Sequence, residues 1–192
     1  LNEEEKIERL RAGDKEAFEH LVKEYQTKIF NTCLGLLQNE EDAEDVCQEV
    51  FISVFQSIGN FKGQSKLYTW MYRIAVTRSL EFIRSKKRKK RFAFFRQILG
   101  NESGEIKTEA YNFYHPGVQL ENKERAAIFF KAIDLLSENQ KTAFILSKLE
   151  ELSYAEIAEI MQVSIPSVES LLFRAKQNLQ KLLRNYYREN EK

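Results

Sequence analysis

Residues that make turns and crosslinks are scarce in this chain. Its 192 residues include two prolines, seven glycines and two cysteines. A fold with many tight turns, such as a β-sandwich, draws heavily on glycine and proline, so this composition points to helices. Cys33 and Cys47 are too few for a disulfide framework and lie in no CxxC pattern, which fits a reducing compartment. No apolar run approaches the roughly 18 residues of a membrane span, and no basic-then-apolar segment opens the sequence. A cytoplasmic protein without membrane insertion is expected. Catalytic signatures are missing as well: there is no HExxH, no glycine-rich phosphate loop and no nucleophile elbow. His20 and His115 stand alone, so no metal site, no cofactor and no enzymatic activity is expected.

Charge is plentiful and unevenly placed. The totals, 30 Lys and Arg against 29 Asp and Glu, are close to neutral. Residues 1–83 nevertheless hold 10 basic and 15 acidic side chains, while residues 84–96 hold eight basic and no acidic ones. An acidic front and a concentrated basic knot suggest separate contact surfaces, because the local field and not the total steers a partner.

Glycine and proline also locate the joints. Gly59 and Gly63 bracket a turn, while Gly100, Gly104, Pro116 and Gly117 fall in one stretch. The expected fold is all-α: two small helical domains joined by a flexible linker, the second containing a helix-turn-helix. The boundaries read as residues 1–96, a linker over 97–120, and 121–192. Asp14 caps the apolar stripe Ala17, Phe18, Leu21, Val22, Tyr25, Ile29 and Phe30. Asn39 with Asp42, Ser137 with Gln140 and Ser153 with Glu156 have capping-box or near-capping-box spacing. Four or five helices are expected in the first half and four in the second.

In the second half, Ser153–Met161 reads as a short amphipathic helix, followed by the turn Gln162-Val163-Ser164. A longer helix then carries Val168, Leu171, Leu172, Ala175, Leu179 and Leu182 on its apolar stripe, with Ser164 as cap and Pro166 in the first turn. This is the pattern of a helix-turn-helix, whose second helix enters the major groove. Spacing alone leaves an ordinary αα-hairpin equally open. Off the stripe lie Ser167, Glu169, Ser170, Phe173, Arg174 and Gln177. Glu169 is repelled by phosphate but is able to accept from cytosine N4.

In the first half, Asp42, Asp45, Gln48, Glu49 and Ile52 recur at three- and four-residue spacings and share one helix face. Composition alone makes that a solvated face. Tyr68, Trp70 and Tyr72 follow, beside Lys62, Lys66, Arg73 and Arg78. Such aromatics are usually core residues; among cations they also suit a stacking platform for unpaired bases. The run Arg84–Arg91 (RSKKRKKR) is a dense site for backbone phosphate or simply a solvated run.

The ordered set DAEDVCQEVF, then F-K-G, then TWMYRIA, then LSYAEIAEIMQVSIPSVESLLFRAKQNL resembles a bacterial RNA polymerase sigma factor of the extracytoplasmic-function (ECF) type. The resemblance covers about 14–84 and 121–184. It implies sigma region 2 and region 4 domains, and an alternative sigma factor that binds core polymerase, directs it to promoters and helps melt the −10 element. Asp42, Asp45, Gln48 and Glu49 match the surface that docks on the β′ clamp helices. Phe61, Lys62, Tyr68, Trp70, Arg73 and Thr77 match the −10 reading and melting element, where a flipped base is captured at a cost of a few kcal/mol of unstacking. Ser164, Ser167, Glu169, Ser170, Phe173, Arg174 and Gln177 match the −35 reader. The implied partners are core polymerase, through the β′ clamp helices and the β flap, promoter DNA and an anti-sigma factor.

Some positions depart from the family pattern. Thr77 stands where asparagine is common, and Glu169 and Leu171 where Lys and Arg are frequent. Gln162 replaces the usual turn glycine, so that turn must tolerate a side chain. Two other functional classes remain in view. A stand-alone helix-turn-helix regulator has no use for the acidic helix or the aromatic segment. A purely protein-binding module draws its support from Glu169 and Leu171.

Overall fold

The computed structural model describes residues 2–98 and 123–190. Among the described residues all regular structure is helical, as the composition suggests. In chain order the helices are α1 (Glu3–Arg11), α2 (Lys15–Leu37), α3 (Glu40–Ser57), a 3-10 turn at Ile58–Asn60, α4 (Leu67–Ile98), α5 (Lys123–Asp134), α6 (Glu138–Lys148), α7 (Tyr154–Met161) and α8 (Ile165–Asn190). Most of the expected linker, with Gly100, Gly104, Pro116, Gly117 and His115, lies outside the described residues.

The caps explain several boundaries. Asp14 Oδ1 accepts from the backbone N–H groups of Glu16 and Ala17, starting α2. Asn39 Oδ1 accepts from Asp42 N at 2.8 Å, starting α3. Ser153 and Glu156 form a reciprocal capping box on α7. Ser137 differs: it precedes α6 in extended conformation, yet its side chain makes no capping bond. One further start is set from far away in sequence. The α1 residue Glu3 accepts from Leu67 N at 2.8 Å and so supplies an acceptor at the first turn of α4.

Helices α2, α3 and α4 pack on one another, burying Leu21, Ile29, Leu34, Val46, Val50, Val54 and Met71. Helix α8 packs on α5, α6 and α7, with a smaller core around Phe130, Ile133, Ala175 and Leu179. The larger core does not stop at the end of the first half. Ile145, Leu146, Ile157 and Val168 join the same cluster as the α2–α4 residues.

A half of this size buries too little surface by itself, and here each half covers apolar area on the other. Removing Ile145 or Leu146 fully from water stabilises by about 1.5–3 kcal/mol per side chain. Gly35 of α2 makes the close approach possible. A Cβ there would sit 3.2 Å from the side chains of both Ile145 and Leu149. The two domains are therefore closed against each other and not held apart.

Candidate polymerase and nucleic-acid interfaces

The segment before α4 builds a cavity. Phe61 is buried, its ring centroid 5.0 Å from that of the half-buried Trp70. Its carbonyl accepts a hydrogen bond from the Arg11 guanidinium. Gly63 takes φ of +68°, which glycine adopts without a Cβ penalty, and turns the chain back toward α4. The resulting cavity, about 320 Å³, is lined by Asn60, Phe61, Lys62, Gln64, Ser65, Trp70, Arg73 and Glu159. Four of the sequence-predicted −10 residues thus share one site, with Lys62 exposed at its edge. Thr77 is exposed one turn beyond Arg73 on the same helix. Asn60, Gln64 and Ser65 are lining residues that sequence reasoning passed over.

Tyr68 and Tyr72 point elsewhere. They are one helical turn apart, their rings in an edge-to-face contact at 6.4 Å, and they face the second half. The Tyr68 hydroxyl donates to Glu156 of α7. Lys66 Nζ lies 3.3 Å from that hydroxyl and 3.9 Å from the same carboxylate. Tyr72 is buried, and its hydroxyl donates to Glu150 Oε2 at 2.7 Å. Arg73 Nη2 donates to the Glu159 carbonyl at 2.8 Å. The three aromatics consequently form no open stacking row: Tyr72 is buried, Trp70 lines the cavity, and Tyr68 is tied to α7.

The electrostatics follow from these contacts. Burial, then the neighbouring Glu150, pushes the Tyr72 phenol well above its ordinary value. Burial also raises the Glu150 carboxyl, against the opposing pull of the hydrogen bond from Tyr72. Glu156 is held below the usual range, first by the Tyr68 hydroxyl and then by Ser153. Cys33 and Cys47 are free thiols, pushed by burial to about 12 and about 11, so both stay protonated and unreactive near neutrality.

On α3 the acidic face is real but narrower than the spacing suggests. Asp45, Gln48 and Glu49 are exposed together, and the exposed apolar residues Ile52 (56 %) and Phe55 (51 %) continue the face. Phe18 supports Phe55 in an edge-to-face contact at 5.1 Å. Asp42 turns toward α4 instead, where its carboxylate pairs with Lys86 at 2.8 Å. Phe55 was not among the sequence candidates, because an isolated phenylalanine in a helix reads as core.

The helix-turn-helix is present in α7 and α8. Gln162 occupies the left-handed turn position, φ 56°, where glycine is more usual. Ser164 Oγ accepts from Ser167 N at 3.3 Å and caps α8, and it lies 2.8 Å from the Ser167 hydroxyl. Val168 and Ala175 are buried against the rest of the domain. Glu169, Ser170, Phe173, Arg174 and Gln177 are all exposed, so six of the seven −35 candidates except the half-buried Ser167 face solvent. The two candidate DNA surfaces differ: that of α8 is open, while that of α4 is partly engaged by α7 through Tyr68 and Arg73.

Two helical domains with an acidic helix face, a cavity lined partly by aromatics and a helix-turn-helix place this chain among all-α proteins of the helix-turn-helix class. Residues 21–89 match the family described as Sigma-70 region 2, and residues 119–179 match Sigma-70, region 4. The chain is 33 % identical over 193 residues to the RNA polymerase sigma-H factor of Pseudomonas aeruginosa, covering 95 % of this chain and 94 % of that one. It is 36 % identical over 185 residues to the ECF RNA polymerase sigma-E factor of Haemophilus influenzae, covering 94 % of each.

Its fold is similar to that of CnrH in complex with the cytosolic domain of CnrY, with a TM-score of 0.68 at 17 % identity over 95 % of this chain and 97 % of that one. It is also similar to the sigma factor RpoE in complex with the anti-sigma factor NepR from Bartonella quintana, with a TM-score of 0.64 at 23 % identity over 87 % and 96 %. The chain belongs to the ECF group of RNA polymerase sigma factors. It is an alternative sigma factor that directs core polymerase to promoter DNA for transcription initiation. Among the described residues, no helix is long and apolar enough to cross a membrane.

Proposed function

We propose that three surfaces of this chain divide the work of a sigma factor. The exposed α3 face of Asp45, Gln48, Glu49, Ile52 and Phe55 docks on the β′ clamp helices of core polymerase, with charge steering the encounter and the two apolar side chains holding it. The cavity of Phe61, Lys62, Trp70 and Arg73 receives a flipped base of the −10 element, and Tyr68 and Thr77 contact its neighbours. The exposed face of α8 reads the −35 duplex, while region 4 also meets the β flap. The division into residues 1–96, 97–120 and 121–192 follows these roles. The protein acts without catalysis of its own, in the cytoplasm where its polymerase works.

The cavity carries this reading. Its volume reaches the range of small-molecule pockets, about 300 Å³ and above, and its lining pairs aromatic faces with Lys62 and Arg73. Stacking and a guanidinium contact offset the unstacking of one base. In the free protein the Glu159 carbonyl engages Arg73 and α7 holds Tyr68, so base capture by these residues requires the halves to part. An anti-sigma factor that clasps the closed form would keep the protein inactive; one fold neighbour is a sigma factor in complex with the anti-sigma factor NepR.

Permanganate reactivity of −10 thymines tests the melting role. Core polymerase with the wild-type chain should expose them, and Arg73→Ala should lower that reactivity roughly tenfold, as expected from loss of a charged hydrogen bond. Full reactivity in the variant would remove Arg73 from the melting site.

A further inference from the structure

The loop between the 3-10 turn and α4, residues 61–66, is held at both ends by a helix that contributes none of the sequence-predicted site residues. At its entrance the Arg11 guanidinium donates to the Phe61 carbonyl. At its exit Leu67 N donates to Glu3 Oε1 at 2.8 Å. Both partners belong to α1 and lie about 12 Å apart along its axis. Among the described residues, the loop's own backbone bonds lie only at those same ends. Phe61 N donates to Ile58 O at 3.1 Å, and Trp70 N donates to Lys66 O at 3.2 Å.

Lys66, the residue before α4, has a side chain with donors only, whereas a helix start needs acceptors for its unpaired N–H groups. Glu3 supplies one from a distance, and its charge suits the positive end of the helix. Helix α1 is in turn fixed to α2. Asn2 and Glu5 close a capping box, and Leu10 is buried. Arg9 bonds Asp14 at 2.6 Å and Glu16 at 3.1 Å, while Lys6 pairs with Glu24. All of these contacts lie within the first half, so parting of the halves leaves them in place.

We infer that α1 is a brace for the base-capture loop, and that Glu3 and Arg11 are positioning residues for −10 recognition. The inference rests on the proposed capture of a base by Phe61, Lys62, Trp70 and Arg73. Phe61 and Trp70 form the aromatic wall of that cavity, with ring centroids 5.0 Å apart. Arg11 fixes the backbone of the first, and Glu3 fixes the helix start that carries the second. With both bonds made the wall is set before a base arrives, so the loop loses less conformational freedom on capture.

The test uses holoenzyme on fork DNA with a single-stranded −10 non-template strand, taken from a promoter mapped with wild-type holoenzyme. Each −10 position is made abasic in turn, and anisotropy gives the ratio of affinities for intact and abasic DNA. At the captured position wild type should show a ratio of about 5 to 140, the range of one base–aromatic stack. Glu3→Ala/Arg11→Ala should lower that ratio about fivefold, or to unity, through loss of two partly exposed charged hydrogen bonds. Glu3→Gln keeps an acceptor oxygen and Arg11→Lys a cationic donor, so each should stay near the wild-type ratio. Glu4→Ala, at an exposed position of α1, should leave it unchanged.

A wild-type ratio in the double variant overturns the inference, even where overall affinity or melting temperature falls. A merely structural loss weakens binding to intact and abasic DNA alike. An equal drop from Glu4→Ala also overturns it, because the effect is then one of net charge. So does a drop from Glu3→Gln as large as that from Glu3→Ala. Should the double variant not fold, the two single alanine variants carry the same expectation with a smaller drop. A wild-type ratio near one at every −10 position instead strikes the base-capture reading itself, and the brace with it.

Discussion

Replacing Tyr72 by phenylalanine deletes one oxygen from the contact between the halves and leaves every proposed base contact in place. In the closed protein that hydroxyl donates to Glu150 Oε2 at 2.7 Å from a buried ring. A hydrogen bond to a charged partner contributes about 1.5–3 kcal/mol. Glu150 is half-buried and partly screened by solvent, so the lower end applies. About 1.5 kcal/mol raises the open-to-closed ratio roughly tenfold. A ligand that binds only the open form sees its apparent affinity rise in proportion to the open fraction while that fraction is small.

The assay is fluorescence anisotropy with the free protein and a single-stranded −10 oligonucleotide from a mapped promoter. Tyr72→Phe should bind it about tenfold more tightly than wild type. If holoenzyme holds the halves apart, as the proposed function requires, it should show little difference between the two proteins. Equal affinity of the free proteins, accompanied by a lower melting temperature in the variant, would refute the reasoning. The hydroxyl would then support the fold without controlling access.

Three further outcomes are expected. Charge reversal at Asp45 and Glu49 together should weaken binding to core polymerase at least tenfold, measured by anisotropy of the labelled chain, with the helical circular dichroism unchanged; undiminished binding removes the docking assignment. Arg174→Ala should make the salt slope for −35 duplex binding shallower by about 0.9, whereas a sequence-specific loss at constant slope would make it a base contact. The third concerns pH. A raised Glu150 carboxyl means that the closed form favours the protonated acid. Closure should therefore tighten as pH falls from 7 through the Glu150 value, and oligonucleotide affinity of the free protein should drop. Glu156, shifted downward, acts in the opposite sense only below the ordinary carboxyl range. Glu150→Gln should flatten the profile between those limits.

Local signals were the legible part of this molecule. Asn39, Ser153 and Asp14 act within three residues of themselves, so their caps can be read from spacing, and the acidic and apolar faces of α3 follow from helical periodicity. Ser137 has the same type of spacing and makes no capping bond, because spacing places a partner but does not fix a rotamer. The contacts that define the closed state are beyond such reading. Glu3 reaches Leu67, Tyr68 reaches Glu156, and Arg84 reaches Glu138 across separations that only the tertiary fold closes.

Gly35 shows the same limit. In sequence it is a helix-weakening glycine, and its use appears only when Ile145 and Leu149 lie against it. The apolar surface that each half buries in the other is distributed over residues that look like ordinary core.

In the proposed division of labour this chain gives core polymerase promoter specificity through its α3, α4 and α8 surfaces. Multiple-round transcription on fragments of the source genome, with purified core and with or without the protein, tests it most directly. Discrete promoter-dependent transcripts should appear only with the protein, and should fade when the Asp45 and Glu49 charges are reversed. Identical transcripts from core alone and from core with the protein would contradict the claim.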